Sequence, residues 1–107
     1  MKRAYETMYI LRPDLGEEMT EQTITKYQDT LKENGVESID TQHRGKRRLA
    51  YEIDRHKEGV YIQMNYEADY AAVAAMEKDM RFNDNVIRFL TMRQDETPAA
   101  PAEANAF

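Results

Sequence analysis

A chain of 107 residues is one domain, able to bury about 65% of the surface its unfolded form exposes and hence one modest core. The absence of cysteine excludes disulfides, thiolate nucleophiles and the common zinc sites, and fits a reducing, cytoplasmic setting. With 41% apolar and 33% charged residues, a formal charge of −5 and no run of about 18 apolar residues, nothing in the chain reads as a membrane span.

The N-terminal "MKRAYETMYIL" has no long apolar region followed by a cleavage site, so it reads as a first strand and not as a signal peptide. Residues 5–12, "YETMYILR", are aromatic and β-compatible and stop before Pro13. "PDLGEEM" gives a turn and a helix entry, with Glu17 and Glu18 at the positive end of the helix dipole. From about 17 to 34, Thr20, Ile24, Tyr27 and Leu31 recur on one helical face. Asn34-Gly35 closes that helix; the pair is also a hairpin signal, but the helical period before it favours a cap. Two runs of period two follow, Leu49/Tyr51/Ile53 and Val60/Ile62/Met64/Tyr66, joined by the polar "DRHKEG", which predicts a β-hairpin. Residues 69–81 predict a second helix with Asp69 as N-cap and Val73, Met76 and Met80 on one face. "FNDN" breaks it, and 86–93, "VIRFLTMR", is the last strand. Residues 94–107, "QDETPAAPAEANAF", lack the apolar density to fold and read as a disordered tail behind a domain of residues 1–93.

The order β-α-β-β-α-β predicts an α+β, ferredoxin-like split βαβ fold: a four-stranded antiparallel sheet of order 4-1-3-2 with two helices on one face. Alternation then assigns Tyr5, Thr7, Tyr9, Leu11, Leu49, Tyr51, Ile53, Val60, Ile62, Met64, Tyr66, Ile87, Phe89 and Thr91 to the helix-covered face. It leaves Glu6, Arg48, Ala50, Glu52, Tyr61, Gln63, Asn65 and Arg88 on the open face. Met8, Ile10, Leu90 and Met92 join them there, an apolar patch suited to a partner protein. Such patches also occur on ordinary monomers.

Enzymatic chemistry has no constellation to rest on. His43 and His56 have no metal-ligand spacing with each other, the four glycines form no phosphate loop, and no Ser or Thr stands beside a recognisable base. We therefore expect no enzyme, no metal or other cofactor and no small-molecule substrate.

Charge is the informative feature. Residues 94–107 carry Asp95, Glu96 and Glu103 and no base, so residues 1–93 hold 15 basic against 17 acidic groups, a net of −2. Within that near-neutral body, "HRGKRRLAYEID" packs Arg44, Lys46, Arg47 and Arg48 into five positions just before an apolar alternation. A run like this is more often a solvated edge than a site. A strand orients it, however, and Lys2, Arg3, Arg81 and Arg88 recur where the topology brings them near. Guanidiniums on a rigid frame suit bidentate phosphate contacts on a structured RNA. Base stacking of the RNA-recognition-motif kind is disfavoured, because Gln63 follows Tyr61 where a second aromatic would stand.

"GKRRLAYEI" (45–53) resembles the second-strand motif of the bacterial small ribosomal subunit protein six family (ribosomal protein S-six). "RAYETMYILRPDL" is similar to that family's opening and "MRFNDNVIRFLTMR" to its close, three co-linear matches spanning roughly residues 2–93. The resemblance implies a structural constituent of the small subunit that binds central-domain small-subunit ribosomal RNA as a heterodimer with the eighteenth small-subunit protein. By position it carries RNA contact to Lys2, Arg3, Lys46, Arg47, Arg48, Arg81 and Arg88. The alternatives are a self-associating regulatory module of the same fold, and a factor that binds assembled ribosomes transiently.

Overall fold

In a computed structural model the elements run β1 (Arg3–Leu11), α1 (Gly16–Glu33), β2 (Ile39–Ile53), β3 (His56–Ala68), α2 (Tyr70–Phe82) and β4 (Val86–Arg93). The structure describes residues 2–53 and 55–93; the expected disordered tail, 94–107, lies outside the described residues. The strands form one antiparallel sheet ordered β2-β3-β1-β4, the expected order counted from the other edge.

The main core lies between one sheet face and both helices. Tyr9, Leu11, Ile62 and Met64 meet Ile24, Tyr27 and Leu31 of α1 and Val73, Met76 and Met80 of α2. These are the helical stripes legible in the sequence. After Asn34, Gly35 takes φ 93°, its amide N–H donates to Lys32 O at 3.1 Å, and Val36 N–H reaches back to Leu31 O at 3.1 Å. That pair of bonds is a Schellman closure, with Val36 and Leu31 also sharing the core. A polar thread crosses the same layer. Thr7 Oγ1 lies 2.7 Å from the Tyr66 hydroxyl and 2.9 Å from Oγ1 of the half-buried Thr91, so hydroxyls on three strands satisfy one another.

Two expectations for β2 need correction. It begins at Ile39, so the basic run lies inside the strand and not ahead of it. His43 pairs with Ile62 but Gly45 pairs with Tyr61, leaving Arg44 as an extra residue in a bulge. Gly45 adopts φ 86° there, and its amide donates to His43 Nδ1 at 3.1 Å, satisfying a donor the bulge displaces. One extra residue inverts every later side chain of a period-two strand. Lys46 and Arg48 thereby take the helix side. The register shifts again between Arg48 and Ile53, and beyond Arg48 the strand turns Leu49 and Ile53 onto the open face instead of the helix-covered one, with Tyr51 reaching Arg88 there. In β4, a one-residue shift opposite Ile10 and Leu11 leaves Ile87 unpaired, and Ile87 packs on the open face instead of the helix-covered one.

Leu49 and Ile53 pack there with Met8, Ile10, Tyr61 and Ile87 as a second core. A straight hairpin could not reach them. Tyr51 lies six residues beyond Gly45, roughly 20 Å along the strand, and β4 stands three strand spacings from β2, roughly 14 Å. Yet Arg88 Nη1 of β4 donates to the Tyr51 hydroxyl at 2.7 Å. The hairpin end therefore curls across the open face.

Candidate nucleic-acid interface

Strand register sorts the basic residues into two groups. Leu11 pairs with Val60, and Val60 with Lys46, so the "KRR" run lies at the Leu11 end of the sheet. Arg88, opposite Ile10, belongs to that end. So does Arg81, since the turn after α2 is tied to β1 by Arg12 N–H donating to Asn85 O at 3.0 Å. Lys46, Arg47, Arg48, Arg81 and Arg88 are all exposed. Lys2 and Arg3 stand at the opposite end, eight residues or roughly 27 Å up β1. The seven expected contacts are thus five at one end and two at the other.

The five do not share a face. Arg47 and Arg88 point to the open side, Lys46 and Arg48 to the helix side, where Lys46 lines a groove with Glu17, Glu21 and His43. Arg48 pairs in register with Glu58. Arg47 Nε donates to Arg44 O at 3.3 Å. Lys2 lies 3.9 Å from Glu37, a loose, exposed pair. Not every nearby base is available. Arg12 grips Asp14 through Nε at 3.2 Å and Nη2 at 2.9 Å, and this hydrogen-bonded guanidinium holds the Asp14 carboxyl below its ordinary range.

The apolar patch is also smaller than alternation alone implies. Met8 pairs with Leu90 and Glu6 with Met92, so the four residues do share the open face. The curled hairpin, however, buries Met8 and Ile10, at 6% and 0% exposure, and leaves Leu90 and Met92 half-buried. Tyr61, at 1% exposure, is sealed beneath the hairpin and offers no stacking surface to a base.

Three residues near these basic groups were not among the expected contacts. Arg44 donates from Nε and Nη2 to Gln63 Oε1 at 3.2 and 2.7 Å, and Gln63 in turn donates to Glu6 at 3.3 Å, a polar chain across three strands. Tyr51, assigned to the core, is half-exposed beside Arg88. Arg93 joins Arg3 and the exposed Tyr70 around a groove of about 690 Å³ at the far end. Arg44 was already visible in the basic run, and Arg93 was legible because antiparallel pairing of the first and last strands places it near Arg3; the contact of Tyr51 was not.

Among the described residues no group of His, Cys, Asp and Glu could hold a metal, and no helix is long and apolar enough to cross a membrane.

A model of the family Ribosomal protein S6 matches residues 4–93. The chain is 58% identical over 96 residues to the small ribosomal subunit protein bS6 of Gloeobacter violaceus, covering 90% of this chain and 100% of that one. Against the same protein of a Cyanothece species it is 56% identical over 104 residues, 97% of each chain. The crystal structure of 30S ribosomal protein S6 from Thermotoga maritima superposes with a TM-score of 0.79 at 26% identity, over 89% and 90% of the two chains. Fold and sequence together define a non-enzymatic protein of the ribosome. The chain belongs to the ribosomal protein S6 family and is a structural component of the small ribosomal subunit.

Proposed function

We propose that the chain binds the central domain of the small-subunit RNA together with the eighteenth small-subunit protein, holding a folded RNA junction by neutralising phosphates where helices crowd. The observation that carries this reading is the gathering of Lys46, Arg47, Arg48, Arg81 and Arg88 at one end of a rigid sheet in an otherwise acidic chain. A phosphate within a Debye length, about 8–10 Å, responds to that cluster more than to the net charge. Binding and RNA folding are then thermodynamically linked, each stabilising the other. Protein contact falls to the half-buried Leu90 and Met92, the accessible remainder of the apolar patch.

The test is a salt titration of binding to a central-domain RNA fragment, with and without the partner protein. Affinity should fall with salt, each phosphate contact contributing roughly 0.7–0.9 to the log–log slope. Arg47→Ala with Arg48→Ala should flatten that slope, and Leu90→Ala with Met92→Ala should weaken the partner's contribution alone. A folded chain that binds no RNA under either condition would end this reading.

A further inference from the structure

An arginine side chain has large rotamer freedom, and a group that fixes it beforehand raises affinity for an anion without touching the anion. Arg88 is fixed in this way. Its Nη1 donates to the Tyr51 hydroxyl at 2.7 Å, and its guanidinium carbon lies 5.7 Å from the Tyr51 ring centroid, near the outer limit for attraction by the ring. The hydrogen bond is therefore the main tie. Nε and Nη2 of Arg88 donate to no other described residue. That unused edge is the one Arg12 presents to the two oxygens of Asp14 elsewhere in the molecule, so it suits a bidentate oxyanion.

We propose that Tyr51 is a positioning residue for phosphate capture: it anchors Arg88 by Nη1, leaving Nε and Nη2 as an open fork for one RNA backbone phosphate, and does so only while the hairpin lies across the sheet. The inference rests on the RNA reading above and adds a residue and a condition to it. Hairpin closure and phosphate binding become coupled equilibria, so RNA should in turn raise the population of the closed hairpin.

A double-mutant cycle on the full chain tests this. Arg88→Ala should weaken RNA binding on the order of tenfold, and Tyr51→Phe, which keeps the ring, about threefold. In the Arg88→Ala background Tyr51→Phe should cost nothing further, which a merely structural tyrosine would not produce. An equal loss in both backgrounds, or no loss from Tyr51→Phe, overturns the proposal. If the wild-type chain binds no RNA, the RNA reading falls by itself. The Arg88 Nε–H resonance then decides the positioning role: a shift on adding inorganic phosphate that Tyr51→Phe abolishes upholds it. A shift that is absent, or unchanged by the substitution, rejects it.

Discussion

Gly59 lies where the β2–β3 hairpin leaves the plane of the sheet, opposite Arg47 in register. A Cβ placed there would run into Cγ2 of Ile10 and stand 3.4 Å from the Leu11 carbonyl oxygen. Ile10 is fully buried and branched at Cβ, so its methyl group cannot swing aside. Glycine is thus required for Ile10 to lie against the backbone of β3 beneath the hairpin. Gly59→Ala should destabilise the chain by about 1–3 kcal/mol, the usual cost of overpacking, measured as a lower denaturation midpoint. An unchanged midpoint would mean that the hairpin does not lie this close to Ile10. Tyr9 makes a different kind of demand. Its ring meets Tyr27 edge-on at 5.6 Å, while its buried hydroxyl has no hydrogen-bond partner among the described residues.

At the scale of the element, the bulge in β2 decides which residues are core. Residues 49–53 alternate faithfully, and the alternation by itself is silent on which set faces which side. Gly45 at φ 86° sets the faces from Lys46 to Arg48, by letting Arg44 be accommodated between paired residues, and a second register shift between Arg48 and Ile53 completes the turn of residues 49–53 onto the open face. A Cβ at Gly45 would meet nothing within 4 Å, so Gly45→Ala tests backbone conformation alone. It should cost about 1–2 kcal/mol and speed amide exchange from Arg47 to Ile53 while the β1–β3 and β1–β4 ladders stay protected. Uniform acceleration across the sheet would show instead that the hairpin and the body open as one unit. The cap of α1 was legible because Asn-Gly followed a helical stripe; the bulge was not, because "HRGKR" carries no apolar residue to mark a change of face.

For the molecule as a whole, three tyrosines tie stability to alkaline pH. Burial pushes the Tyr66 hydroxyl up to about 12, partly opposed by its hydrogen bond to Thr7, and burial raises Tyr9 and Tyr27 further. In the unfolded chain each ionises near 10. Above that pH the unfolded state has lost protons that the folded state still holds, so stability falls as pH rises from about 10 through 12 and is fully present below 10. Each group can contribute up to about 1.4 kcal/mol per pH unit in that window. Urea midpoints should therefore drop steeply above about pH 10, and less steeply in Tyr9→Phe, which removes one titration without removing a hydrogen bond. Equal slopes in the two proteins would mean that Tyr9 ionises alike in both states.

The sequence by itself determined the order of elements, the two helical stripes, the strand order and the family, because each rests on local periodicity or on residues matched in line. It also placed the basic run next to the apolar alternation. Only the tertiary structure decided how that alternation is used. Face assignment in a strand has period two, so the extra residue at Arg44 and the further shift between Arg48 and Ile53 reset it, and no local pattern records the change. The packing of Leu49 and Ile53 on Met8 and Ile10 then covers an exposed patch, turns a supposed core tyrosine outward and sets it against Arg88 from the far edge of the sheet. Those contacts join residues 37 or more positions apart in the chain, and they exist only because the folded hairpin brings them within reach.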